Sequence, residues 1–175
     1  MVARTAVRTW QDVAKARTVI SLSAQLLVLL LIATAFFMRT SPVDGLSMEP
    51  RVHAGEIVLI NTLAYRFGPL RRGDVIAFRH DAPTAETYIK RIVGLPGERV
   101  EVRDGVVTID GRALEEPYVR FRDRRSAPTT LVPPHAYYVL GDNRADSDDS
   151  RNWGVLQQAD VVGKALAGIW PPRRL

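Results

Sequence analysis

The chain contains no cysteine, which excludes disulfides, thiolate metal sites and a cysteine nucleophile. Histidine is nearly as scarce. His53, His80 and His135 stand far apart without ligand-like spacing, so neither a zinc site nor any other metal or cofactor is expected. Lysine is the third scarcity: of 24 Lys and Arg residues, only Lys15, Lys90 and Lys164 are lysine. Strong charge is also missing from most of the chain. Of the formal net charge of +5, residues 1–17 supply about +3 through Arg4, Arg8, Lys15 and Arg17 against Asp12. The high isoelectric point is therefore a topology signal rather than a nucleic-acid footprint, and no nucleic-acid partner is expected.

What is present begins with an uncharged run from Thr18 to Met38, centred on Leu26-Leu27-Val28-Leu29-Leu30-Leu31-Ile32. As a helix it would extend about 31 Å, close to the hydrocarbon thickness of a bilayer. Basic residues before it and a long domain after it predict a cytoplasmic N-terminus and an extracytoplasmic domain. Anionic headgroups are the expected partner of the basic end. The chain thus divides into a basic N-terminus (1–17), an anchor (18–38) and a domain (39–175). A cleaved signal peptide is the rival reading, since Ala33-Thr34-Ala35 has the small-x-small pattern. Against it, the apolar run continues through Phe36-Phe37-Met38.

From residue 42 the pattern changes to short β-type runs. Strands are expected over 56–60, 74–79, 87–93, 99–103, 106–109 and 136–140, with Asp104-Gly105 as a hairpin turn. Residues 161–170 read equally as strand or short helix. Residues 112–135, rich in Arg, Pro and Thr, read as a surface excursion in which Arg120, Arg122, Arg124 and Arg125 form a solvated basic patch. The fold class is mostly β, barrel-like or sandwich-like, behind one transmembrane helix.

Three places carry candidate chemistry. Lys90 lies in the apolar run Thr87 to Val93, where arginine would stay protonated but a desolvated lysine can act as a base. With an unperturbed pKa near 10.4 it would be neutral in only about 0.04% of molecules at pH 7. Apolar neighbours and the adjacent Arg91 push toward neutrality; the bland alternative is a lysine snorkelling from a half-buried strand. Ser47, in Gly45-Leu46-Ser47-Met48-Glu49-Pro50, is its best client, although a lone serine also suits a helix cap or turn. The third place is the polar block from Gly141 to Gly154. By itself it reads as a turn, and it lacks the alternation and terminal glutamate of a calcium loop.

Taken in order, Ser47-Met48-x-Pro50, Arg72-Gly73-Asp74-Val75-Ile76-x-Phe78, Tyr88-Ile89-Lys90-Arg91-x-x-Gly94-x-Pro96-Gly97-Glu98 and the Gly141–Gly154 block resemble the four successive boxes of type I signal peptidases, behind an N-terminal anchor. The resemblance covers essentially everything from Thr18 onward. It implies a signal-peptidase-like β-barrel or sandwich in the bacterial plasma membrane, and a serine endopeptidase that cleaves signal peptides from preproteins after small residues of the Ala-x-Ala type. It implies Ser47 as nucleophile, Lys90 as general base and Ser147 as the hydroxyl that orients the amine. Asp142, Arg91, Asp149 and Arg151 would support the site through a polar network. Gly45, Met48, Tyr88 and Ile89 would meet substrate, Tyr88 and Ile89 by strand pairing and Met48 at the pocket for the small residue. Two departures stand out. Gly45 replaces a hydroxyl that helps bind the oxyanion in some members, and Asp44 replaces a common proline. The rival readings are a Ser/Lys maturase for a pilus or conjugation-type substrate, and a non-enzymatic anchored domain that binds polyanions.

Overall fold

The structure is a computed structural model that describes residues 2–80, 86–170 and 173–174. It comprises two compact units, Met1–Met38 and Arg39–Leu175. The first is a single helix, α1 (Val2–Phe36). Its stretch Val13–Phe36 has a mean hydropathy of 2.4 and none of it is buried by the chain itself, so it is long and apolar enough to cross a membrane. Two hydroxyls inside the span are spent on the helix: Thr18 Oγ1 donates to Ala14 O and Thr34 Oγ1 to Leu31 O, at 3.0 and 2.9 Å. That is how a polar side chain is tolerated in hydrocarbon. The helix begins well before Thr18, so the basic N-terminal residues continue the same rod as the apolar run.

The second unit is mostly β, in two sheets. The strands are β1 (Met38–Pro42), β2 (Ile57–Asn61), β3 (Val75–Phe78), β4 (Tyr88–Gly94), β5 (Arg99–Arg103), β6 (Val106–Ile109), β7 (Arg112–Ala113), β8 (Ala127–Leu131), β9 (Ala136–Leu140), β10 (Leu156–Gln157), β11 (Val161–Trp170) and β12 (Arg173–Arg174). The larger sheet runs β1-β2-β11-β3-β4-β9-β10, with β12 on β11, and the smaller runs β7-β6-β5-β8. One short helix, α2 (Ser150–Trp153), lies between β9 and β10. Residues 161–170, which read as strand or helix, are strand. They pair antiparallel with both β2 and β3.

Burial explains why the central strands were visible in the sequence. All four residues of β3 are buried; Val75 and Ala77 pack in one apolar cluster, Ile76 and Phe78 in another. A strand covered on both faces reads as a continuous apolar run. A third cluster joins Val100, Val102 and Val107 of the smaller sheet to Val93, Tyr138 and Leu140 of the larger. The Asp104-Gly105 turn has positive φ at both residues (48° and 78°), the primed hairpin geometry.

The excursion differs from expectation. Residues 127–131 form β8 on the edge of β5, while Glu116, Val119 and Val132 are buried. Arg120, Arg122, Arg124 and Arg125 are all exposed, and Arg125 is in addition bonded to Asp123 and the carbonyl of Arg144. The segment packs against the Gly141–Arg151 loop because its few acidic side chains have buried arginine partners there.

Candidate active site

Ser47 opens a compact turn in which Glu49 N donates to Leu46 O and Val52 N to Met48 O. Met48, 1% exposed, anchors that turn in the apolar cluster beneath it. The turn is also tied across to the Gly141 block: Asn143 N donates to Ser47 O at 2.9 Å and Asn143 Nδ2 to Leu46 O at 3.2 Å. Gly141 makes this approach possible. A Cβ there would lie 2.3 Å from Ser147 Oγ and 2.5 Å from Ser47 O, so only glycine lets the two serine loops meet on one backbone.

Lys90, on β4, is 5% exposed, and its Nζ lies 2.7 Å from Ser47 Oγ. Burial is the main cause that lowers its pKa to about 8; Asp149 and Asp148 oppose the shift and Arg151 assists it. Arg91, expected to help, is committed elsewhere. Its Nε donates to Asp142 Oδ1 at 2.7 Å, its second amino group to Oδ2, and its third nitrogen to Gly73 O at 2.6 Å. Successive strand residues point to opposite sides, and this pair is buried.

Asp149 caps α2, accepting from Arg151 N at 3.2 Å, and takes Gly141 N at 3.1 Å. Arg151 binds the same carboxylate through Nε and an amino group, each at 2.8 Å. Burial raises the pKa of Asp149, but the Arg151 bonds and charge outweigh it and hold the carboxyl below its usual range. Ser147 is buried; its Oγ helps to hold Asp149 charged but has no partner within hydrogen-bond geometry. Ser147 therefore meets the Ser47 backbone across Gly141 and makes no hydrogen bond to the lysine.

A cleft of about 560 Å³ opens onto this contact, lined by residues 41–48, 86–90, Asp146 and Asp148. Gly45, Met48, Tyr88 and Ile89 all border it. Gly45 has open space where a Cβ would go, and its φ lies outside the left-handed region, so glycine is not required there. On one edge β4 pairs with β3 from Tyr88 onward, but on the other β9 joins only at Arg91. Among the described residues no strand covers that second edge of residues 88–90. No cluster of three or more metal-ligating side chains occurs among the described residues.

Asn143 and Arg144 of the Gly141 block escaped the sequence reading, and so did three supporting side chains of the excursion. Glu116 makes a fully buried pair with Arg144, whose Nε donates to Gly141 O at 3.0 Å. Tyr118 lies 4.2 Å beneath the Arg91 guanidinium and bonds Glu116 at 3.0 Å. Asp123 accepts from Arg151 at 2.9 Å. Glu115, Glu116 and Asp123, the acidic residues of an arginine-rich stretch, were the only available signal.

Comparison with known proteins places this arrangement in context. The family model described as "Signal peptidase, peptidase S26" matches residues 16–170. Signal peptidase I of Bacillus caldolyticus is 36% identical over 143 residues, 74% of this chain and 78% of its own. Signal peptidase IB of Staphylococcus aureus is 32% identical over 162 residues, 82% of this chain and 84% of its own. Among solved structures, a signal peptidase I from Enterococcus faecalis V583 matches at 36% identity with a TM-score of 0.46, covering 55% of this chain and 97% of that one.

Proposed function

Because the chain belongs to the S26 signal peptidase family, we propose that its signal-peptide cleavage runs through a Ser47–Lys90 dyad and an acyl-enzyme. The enzyme is a serine endopeptidase. The observation that carries the dyad is a desolvated amine 2.7 Å from a hydroxyl. With Lys90 neutral, the contact runs from Ser47 Oγ–H to Nζ. The amine takes that proton as Oγ attacks the scissile carbonyl, and the oxygen of the C=O becomes an oxyanion. Collapse expels the amine of the mature chain, which receives the proton from Nζ. Water then gives one proton to Nζ as its oxygen adds to the acyl carbon; collapse expels Ser47 Oγ, which takes that proton from Nζ, and the signal-peptide acid ionises to solvent as a carboxylate.

The substrate backbone adds to the open edge of Tyr88–Lys90 as an extended strand. Met48 and Ile89 line the pocket for the small side chain, the basis of an Ala-x-Ala preference. In this reading Ser147, whose hydroxyl is buried and unpartnered, is the group that orients the amine during turnover, and Asp142, Arg91, Asp149 and Arg151 hold the two loops. The Ser47 N–H is the oxyanion donor that Gly45 does not supplement. The basic residues before the apolar helix put the N-terminus in the cytoplasm beside anionic headgroups and the catalytic unit on the extracytoplasmic side.

The test is incubation of the detergent-solubilised protein with a precursor and its cleavage-site variants, sequencing the product N-termini. Cleavage after Ala-x-Ala in wild type, lost in Ser47→Ala and Lys90→Met with helix insertion and folding intact, is expected. Processing by either variant would sink the dyad.

A further inference from the structure

The loop that walls Lys90 is held from outside. The β5–β6 turn grips the excursion: Gly105 N donates to Arg125 O and Asp104 N to Ser126 Oγ, both at 3.0 Å. The fit is tight, since a Cβ on Gly105 would sit 2.0 Å from Asp123 O. The pinned segment presents Asp123, whose Oδ2 accepts from Arg151 at 2.9 Å and from Arg125 Nε. Its side chain is 12% exposed and that of Arg151 is 2% exposed, so this is an interior contact rather than a surface ion pair. Arg125 and Arg151 also converge on the carbonyl of Arg144. From Arg151 the contacts continue to Asp149, then to Gly141 N, at the crossing point of the two serine loops.

We infer that Asp123, carried on the excursion between β7 and β8, is a positioning residue for the hydrolytic reaction: it clamps Arg151 onto Asp149 and thereby fixes the loop against which Lys90 meets Ser47. The inference deepens the proposed function and rests on Lys90 being the base. Asp149 alone takes Nε and one amino nitrogen of Arg151, and Asp123 takes the other. Without it, that end of a buried guanidinium has lost its carboxylate partner. The charged groups facing Lys90 are Asp148, Asp149 and Arg151 from the loop, with Asp44, Asp146 and Glu86 on the cleft rim. Tyr138 of β9 and Arg144 lie behind Asp149 and Arg151. Removing the Asp123 charge therefore makes these surroundings less negative, which favours the neutral amine.

The experiment measures kcat and KM of the full-length chain in detergent from pH 6 to 10 on one preprotein, beside its melting temperature. Asp123→Asn is expected to keep KM, to lower the high-pH plateau of kcat about tenfold, the loss of one charge-assisted hydrogen bond, and to move the acid limb to lower pH. Asp123→Glu restores the limb to the wild-type position. A lower melting temperature with plateau and limb both unchanged would overturn the inference and leave Asp123 as packing alone. Should Asp123→Asn not fold, Asp123→Glu decides: a lowered plateau with an unmoved limb supports the role, and a wild-type plateau rejects it. Failure of the dyad itself looks different, because wild type would then show no acid limb or Ser47→Ala would still cleave.

Discussion

Two regions of this domain bury positive charge to nearly the same depth and treat it in opposite ways. Beneath the cleft, Arg91, Arg144 and Arg151 each face a carboxylate in bonded contact: Asp142, Glu116 and Asp149 with Asp123. In the cleft, Lys90 is 5% exposed and its hydrogen bond is to a hydroxyl. If Lys90 is the proposed base, the difference separates scaffold from chemistry. A buried guanidinium keeps its proton whatever its surroundings and needs a partner, whereas a buried ammonium with no carboxylate within bonding distance loses its proton more readily than it would in water.

The sharpest way to break the comparison is to move an arginine into the lysine's place. Lys90→Arg should eliminate processing, by a factor on the order of 10⁴ or more, as loss of a nucleophile or its base does in other serine hydrolases. Retained turnover in a preprotein assay would show that the cleft needs charge rather than a base.

Next in size is the removal of a partner from the scaffold. Asp142→Ala strands Arg91 in the interior and should cost about 3–5 kcal/mol in denaturant unfolding. A double change of Arg91 and Asp142 to leucine should recover much of that loss. If the single variant unfolds like wild type, the pair is not the buried contact described above.

The pH dependence sharpens the comparison further. The folded-state pKa of Lys90 is about 8 against an ordinary 10.5, so below pH 8 the fold carries a buried cation that it would rather not hold. The penalty, about 3 kcal/mol, is fully present below pH 8 and fades as pH climbs to 10.5. Lys90→Met should therefore be more stable than wild type at pH 7, with the advantage shrinking toward pH 10.5. A melting-temperature difference independent of pH contradicts this. Catalysis follows the neutral form, so kcat/KM should rise through about pH 8, with about one-tenth of the amines neutral at pH 7. An extended substrate laid over the amine desolvates it further and moves the same balance in the productive direction.

The smallest effect concerns the oxyanion. A Cβ at residue 45 meets nothing within 4 Å, and Gly45→Ser should raise kcat by a few-fold if its hydroxyl reaches the oxyanion. An unchanged kcat at unchanged KM would mean that the existing donors already suffice.

How much of this was legible depended on how local the cause was. β3 was readable because burial on both faces leaves an unbroken apolar run, β4 because aromatic and β-branched residues flank its two charges, and Lys90 because lysine is rare in an arginine-rich chain. The order of the four boxes brought Ser47, Lys90 and the Gly141 block into view together. Glu116, Tyr118 and Asp123 were hidden because their partners lie far along the chain. Glu116 and Asp123 each meet an arginine 28 residues away, across an aperiodic stretch where no repeat indicates which side chains turn inward. β1 and β8 were missed for a related reason: each contains a proline and shows no clean alternation, the mark of edge strands exposed to solvent.

The gap beside residues 88–90 has a consequence for timing. Under the proposed function, the edge of β4 that β9 leaves uncovered before Arg91 accepts only a backbone drawn out straight, because coiled chain cannot align its amides with a strand. A client that is still helical or folded around its junction gives that edge nothing to grip, however well its side chains match. The moment of release then belongs to the client, set by when that short stretch is pulled open.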